Sequence, residues 1–258
     1  MLTETYAKVL ASINLYAVFG ALPRLAELAP EAAHALSGVN RPISLRLTVI
    51  GGGTTTLVFT RDRVTVGGSE PHAERARLLF RSPAHLNAVV DGTAQPIPVA
   101  GIRGLKFLAG VFAPLSETLG RYLRPSDTDL ADETFADAHR MLLLDVAVSA
   151  ITVVANEDRS GRFSASHMAD GDLDVAIGDL LRYRLRIRDH VITRAASTAQ
   201  PARAVFAFAD LRTAGDVLGG RESALACVGD GRIAVRGYIP LADNASRILD
   251  RVGQYLGK

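Results

Sequence analysis

The feature that most restricts the fold of this chain is an order of local patterns written out twice. Ile43 to Ile50 reads ISLRLTVI, with apolar residues at alternate positions. Gly51-Gly52-Gly53 supplies a turn, and Thr54 to Thr60 alternates again. Arg61-Asp62 makes a second tight connection, and Arg63 to Val66 is a third short strand stopped by Gly67-Gly68. A period of two punctuated by turn residues predicts an antiparallel meander. Arg75 to Phe80 follows as a fourth strand. Ser82 and Pro83 then stand as N-cap and first residue of a helix through Val90, which Gly92 ends. Val99 to Leu108 reads as a fifth extended segment and Ala113 to Leu123 as a closing helix.

The second half repeats the order. Asp132 is placed to cap a helix from Glu133 to Leu144. Strands are then expected at Val146 to Asn156, Gly161 to His167, Leu173 to Ile177, Arg182 to Arg188, Val191 to Ala195 and Arg203 to Phe208. Asp210 caps a helix from Leu211 to Leu218 that Gly219-Gly220 stops. Gly231 to Ile239 is extended, and Pro240 opens a last helix striped by Leu241, Ala245, Ile248, Leu249, Val252 and Leu256. Phe80 and Phe208 take matching places, as do Val89 and Val217, Gly92 and Gly220, Gly104 and Gly231, Gly110 and Gly237, and Pro114 and Pro240. The phrases GLKFLAGVFAPL and GRIAVRGYIPL thus read as one phrase written twice. A period this long predicts tandem domains rather than a solenoid. The polar, acidic stretch Pro125 to Glu133 sets the expected boundary, giving residues 1–126, with an N-terminal helix from Thr3 to Ala21, and residues 127–258.

Composition narrows the function. Nearly half of the 258 residues are hydrophobic, enough for packed cores, and the formal charge is +2. Residues 1–128 carry 13 basic and 9 acidic side chains, net +4, and the remainder 16 and 18, net −2. Neither half has the concentrated basic character of a nucleic-acid binder. Lysine occurs only at Lys8, Lys106 and Lys258; the arginine bias is that of a GC-rich, bacterial genome. A single cysteine, Cys227, excludes an internal disulfide and a multi-cysteine metal site. The longest apolar run, Met141 to Ala155, is interrupted by Asp145 and falls short of the roughly 18 residues of a membrane span. The start of the chain lacks a secretory pattern, so a cytoplasmic location is expected.

Several motifs admit a chemical and a structural reading. Gly51-Gly52-Gly53 lacks the third glycine of a dinucleotide fingerprint, and a strand rather than a helix follows it, which favours a hairpin. Asp170, Asp172 and Asp174 open like a calcium loop, but Val175 and Leu181 occupy the positions that need glycine and glutamate. Arg182, Arg184, Arg186 and Arg188 alternate along a strand and share one face. They form either an anion or headgroup site or a sheet face neutralised by Asp172 and Asp174 on the preceding strand. His34, His72, His85, His139, His167 and His190 are scattered without metal-ligand spacing. No catalytic residue, metal or cofactor is indicated.

The stretches FGALPRLAELAPEAAHAL, ISLRLTVIGGGTTTLVF, RARLLFRSPAHLNAVVDG and GIRGLKFLAGVFAPLSETLGRYL resemble the sterol carrier protein type 2 domain, and RAVFAFADLRTAGDVLGG with GDGRIAVRGYIPL repeats the resemblance. It implies an α+β fold of two repeats, each a mixed, about five-stranded sheet with helices packed on one face. It also implies a non-enzymatic protein that holds a sterol, fatty acid, acyl-CoA or isoprenoid between sheet and helices, with transient membrane contact. The alternative is an interaction or scaffold module with filled cores, serving an enzyme of lipid metabolism. A cavity wall of apolar side chains from sheet and closing helix would draw on Phe80, Leu86, Phe107, Phe112, Leu115 and Leu119 in the first repeat. In the second it would draw on Phe206, Phe208, Val217, Ile239, Leu241 and Ile248.

Overall fold

The computed structural model describes residues 2–68 and 73–256; His72, Met1 and Lys258 lie outside the described residues. The chain divides into two compact units, Met1–Leu142 and Leu143–Lys258. Each is built on a five-stranded mixed sheet.

Unit 1 begins with helix α1 (Leu2–Ser12), which runs through a π-helical turn (Ile13–Val18) into α2 (Leu22–Leu28) and α3 (Pro30–Leu36). The meander follows as β1 (Ile43–Val49), β2 (Thr54–Phe59) and β3 (Val64–Val66). The triple glycine is a hairpin turn, with Gly51 at φ 73°, where a side chain would be strained. Strand β4 (Glu74–Phe80) lies parallel to β1, helix α4 (Pro83–Val90) follows, and β5 (Ile97–Ala100) closes the order β3-β2-β1-β4-β5. Leu45, Leu47 and Val49 point into the core while Arg46, between them, faces out.

The fifth segment is shorter than the sequence pattern suggests. After Ala100 the chain turns at Gly101 into α5 (Ile102–Phe107), a π-helical turn (Leu108–Phe112) and α6 (Ala113–Leu123). Gly104, Phe107, Val111, Leu115, Leu119 and Tyr122 are all buried. Their spacing of three and four is helical, and it outweighs the glycine content that made the stretch look extended. Gly104 has a further role: a Cβ there would sit 2.7 Å from the Ala100 Cβ, so glycine lets α5 lie close to β4 and β5.

Unit 1 ends with α7 (Asp127–Leu130) and the first turns of α8 (Glu133–Glu157). Helix α8 corrects two expected strands. Val146 to Asn156 continues the helix, and Gly161 to His167 falls on α9 (Arg159–Ser166) and its C-cap. The β-branched run Val146, Val148, Ile151, Val153 and Val154 has strand propensity, but all five side chains are buried, and burial on nearly every side overrides propensity. Tyr6–Leu28 and Glu133–Glu157 are both long and apolar enough to cross a membrane; 61% and 72% of their apolar windows are buried inside the protein, as in core helices.

Unit 2 then repeats the sheet. Strands β6 (Gly171–Ile177), β7 (Leu181–Arg188), β8 (Val191–Ala195) and β9 (Ala204–Phe208) are followed by α10 (Leu211–Leu218), α11 (Ala224–Gly229), β10 (Ile233–Gly237) and α12 (Ile239–Tyr255). The order is β10-β9-β6-β7-β8, with β6 parallel to β9. Read in the order of appearance, this is the topology of unit 1.

The equivalence holds residue by residue around the short helix. Ser82 caps α4 by accepting from the His85 amide at 3.2 Å, and Asp210 caps α10 by accepting from the Thr213 amide at 2.7 Å. At the far ends Gly92 donates to Val89 and Thr93 to Ala88; Gly220 donates to Val217 and Arg221 to Asp216. Both glycines have φ near 70°, the signature of paired helix-end hydrogen bonds. Beyond this point the alignment shifts. Ala76 pairs with Ala100, and its counterpart Ala204 pairs with Gly237, so an offset of 128 has become 137 and nine residues have been added. The addition carries α11. Gly104, Gly110 and Pro114 are therefore not the equivalents of Gly231, Gly237 and Pro240; Ile102 and Ile239 instead stand at matching helix starts.

Helix α8 meets the unit 2 sheet through the side chains that interrupt its apolar surface. Asp145, Ser149 and Asn156 recur on one face. Arg194 on β8 donates to Asp145 and Ser149, each at 2.8 Å. The Asn156 carboxamide donates to the Ile192 carbonyl at 2.8 Å and accepts from the Ile192 amide at 3.0 Å, on the free edge of β8.

On the outer face of the sheet Arg184 is 1% exposed. It makes a bidentate pair with Asp174 (2.7 and 2.9 Å) and donates to the Thr198 hydroxyl and the Gln200 carbonyl. Arg184→Ala leaves Asp174 buried and unpaired and should cost about 3–5 kcal/mol, whereas Asp174→Leu with Arg184→Met should recover most of the loss. Urea denaturation of the two variants checks this.

Candidate functional site

Between the inner face of the unit 2 sheet and its helices lies a cavity of about 560 Å³. That is within the roughly 300–1,000 Å³ of small-molecule sites. Its floor is Leu173 and Val175 of β6, Phe206 and Phe208 of β9, and Ile233 and Val235 of β10. The register places them together: Val175 lies beside Phe206, Phe206 opposite Val235, and Phe208 opposite Ile233. One wall is Leu144, Ala147, Val148 and Ile151 of α8. Val217 and Leu218 end α10 at another side, and Leu225 and Val228 of α11 stand at the rim. Helix α12 contributes Ile239, Ala242, Ala245 and Leu249.

The polar groups are few and sit at the edge: Ser223, Asp243, Ser246 and Asp250. Leu225, Val228 and Ile239 are 81%, 45% and 55% exposed, so the mouth is ringed by apolar side chains that face solvent.

Four of the expected second-repeat residues, Phe206, Phe208, Val217 and Ile239, line this cavity. Leu241 and Ile248 lie on the core side of α12, fully buried. The six expected from the first repeat, Phe80, Leu86, Phe107, Phe112, Leu115 and Leu119, are all buried in unit 1. There Phe59 packs against Phe107 at 5.0 Å between ring centroids and against Phe112 at 6.1 Å, and Phe19 stacks on Phe112 at 6.2 Å. The offset of 137 sets Leu105 and Leu108 of unit 1 at the sequence places of Ala242 and Ala245, yet Leu105 is 45% exposed whereas both alanines are buried, so the matched positions do not face the same surroundings.

The arginine strand has its counter-charges across the hairpin, since Arg184 and Arg186 lie opposite Asp174 and Asp172. Arg186 grips Asp172 at 2.9 and 3.0 Å and holds its carboxyl below the usual carboxylate range. Arg182 reaches Asp174 at 3.6 Å, and Arg188 reaches Asp170 at 3.9 Å. The aspartates that resemble a calcium loop are thus spent on guanidinium groups.

The rings of His85, His139 and His167 make backbone contacts. His85 Nδ1 accepts from the Arg81 amide at 2.9 Å, and His139 Nδ1 lies 2.7 Å from the Tyr122 carbonyl. Among the described residues no three His, Cys, Asp or Glu side chains gather to hold a metal. Cys227 is buried, and burial followed by its hydrogen bond to Glu222 pushes the thiol pKa up, the opposite of an activated nucleophile.

The α8 wall is absent from the sequence-based expectation, because that segment reads as strand. Its signal is the polar series Asp145, Ser149, Thr152 and Asn156, spaced for a helix. Helix α11 escapes notice too, being only six residues long.

The cavity wall is anchored at the end of α12. Asp158, 2% exposed, caps α9 through the Ser160 and Gly161 amides and accepts from the Tyr255 hydroxyl at 2.7 Å and from Arg251 at 3.2 Å. Burial alone would raise its pKa, but the hydrogen bonds from Tyr255, Gly161 and Arg251 outweigh it and hold the carboxyl below its usual value. Burial and the same hydrogen bond push the Tyr255 hydroxyl well above its ordinary range.

No family model matches the chain, and no curated protein matches it. Among solved structures it is similar to a ubiquinone synthesis protein, UbiJ-SCP2, at 15% identity and a TM-score of 0.32, over 42% of this chain and 95% of that one. It is also similar to a conserved hypothetical protein from Thermus thermophilus with a suggested sterol-carrier role. That match has 22% identity and a TM-score of 0.32, over 42% of this chain and 85% of that one.

The Asp158 cluster carries a pH signature. A lowered Asp158 pKa stabilises the fold above the unfolded value of about 4, and that contribution is lost as pH falls further. A raised Tyr255 pKa stabilises below the unfolded value of about 10, and that contribution is lost as pH climbs towards the folded pKa. Chemical denaturation across pH should therefore show the wild-type advantage over Tyr255→Phe shrinking above pH 10, and that over Asp158→Asn shrinking below pH 4.

Proposed function

We propose that this protein is a non-enzymatic, cytoplasmic lipid carrier built from two sterol-carrier-like units, of which unit 2 holds the ligand. The observation that carries the reading is the apolar cavity between the unit 2 sheet and helices α8, α10, α11 and α12. The doubled topology and the sequence resemblance support it. Burying about 14 methylenes is worth roughly 11 kcal/mol, from which association and ordering subtract several. What remains corresponds to about micromolar affinity, suited to a carrier that must release its cargo. The exposed Leu225, Val228 and Ile239 at the mouth suit exchange at a membrane surface. In unit 1 the aromatic contacts among Phe19, Phe59, Phe107 and Phe112 favour a packing module.

Native mass spectrometry of the gently purified protein, followed by solvent extraction, tests the proposal. The expected result is one lipid per chain, or uptake of one after challenge with sterols, fatty acids and isoprenoids. A mass unchanged by any of them would reject the carrier and favour a scaffold. Enlarging two cavity-lining side chains by Ala242→Leu with Ala245→Leu should lower ligand uptake at least about tenfold, at a stability cost below about 1.5 kcal/mol because the space is already there.

A further inference from the structure

We propose that the unit 2 cavity selects lipids with an uncharged hydroxyl head over lipids with a carboxylate head, an inference that rests on the carrier reading above. The polar groups bordering the cavity are two serines and two aspartates, with no basic side chain among them. Asp243, Ser246 and Asp250 lie on α12 at intervals of three and four, one turn apart on the cavity face. Both aspartates are exposed, and at neutral pH solvated carboxylates are charged.

One neighbouring cation reaches the mouth, and the others are directed elsewhere. Arg247 pairs with Asp243 at 3.1 Å, while Asp250 has no ion-pair partner among the described residues. Arg232 and Arg236 alternate with the cavity residues Ile233 and Val235 and so lie on the other face of β10. Arg232 is also engaged by Asp230 and Glu222. On α10 and just after it, Arg212 and Arg221 both pair with Asp216. The start of α12 offers about half a positive charge from its aligned peptide groups. The charge of Asp250, together with the part of the Asp243 charge that exposed Arg247 leaves uncompensated, outweighs it.

A carboxylate head entering this mouth meets like charge. A hydroxyl head can donate to Asp243 or Asp250 and accept from Ser246, whose hydroxyl has no partner among the described residues. Through solvated surroundings the pair of carboxylates should disfavour an anionic head by about tenfold.

Equilibrium binding of tritiated 1-hexadecanol and tritiated palmitate to the full chain at pH 7.5 separates the cases, because the two probes share a sixteen-carbon tail. The expected result is tighter binding of the alcohol by about tenfold, with the gap closing as salt is raised to about 1 M, since exposed charges are then screened. Asp243→Asn with Asp250→Asn should bring the two within about twofold, chiefly by strengthening palmitate. Palmitate bound as tightly as the alcohol by the wild-type protein overturns the head selection and leaves the carrier reading standing. A gap that persists unchanged at high salt and in the double variant also overturns it. Failure of both probes to bind overturns the selection together with the carrier reading.

Discussion

The sheet of unit 2 depends on what happens above Arg184. Strands β6 and β9 run parallel side by side, so the chain must travel from the β8 edge back to the centre before β9 can form. It does so across the outer face of the sheet without a helix. Thr198 and Gln200 in that crossing segment bind the Arg184 guanidinium, whose other donors are held by Asp174. A charged group buried this completely is tolerated only because its donors meet acceptors in good geometry. With the return path fixed on the outside, the inner face of β6, β9 and β10 is left to the helices.

The cavity sits within an otherwise repeated plan. Both units carry the same strand order and the same short helix with matching caps. Unit 1 follows its last strand with a helix whose Phe107 and Phe112 pack on Phe59, while Leu105 on the same helix is exposed. Unit 2 has nine additional residues that form α11 beside the opening.

How legible this was depended on whether local patterns agreed with tertiary demands. The hairpins around Gly51 and Asp189, the caps at Ser82 and Asp210 and the paired charges of β6 and β7 could be read directly, because each rests on residues adjacent in sequence or opposed by register. The second half of α8 could not. Val146, Val148, Val153 and Val154 speak for a strand, and only the widely spaced Asp145, Ser149 and Asn156 reveal a helix, by the contacts they make with Arg194 and Ile192. One wall of the cavity was hidden with it. The floor residues Phe206 and Phe208 could be found from the strand pattern, whereas Ala147 and Ala242 matter for their small size, and nothing in a single sequence marks a small residue as leaving space.

The carboxamide of Asn156 has a consequence for how the molecule coexists with its own copies. Strand β8 ends the sheet, and at Ile192 both backbone polar groups are already occupied by a side chain that presents the donor and acceptor a neighbouring strand would offer. An incoming strand would have to displace this mimic before it could begin to pair. One asparagine on a buried helix thus does for the edge what a further strand would have done, and halts lateral growth of the sheet from that side.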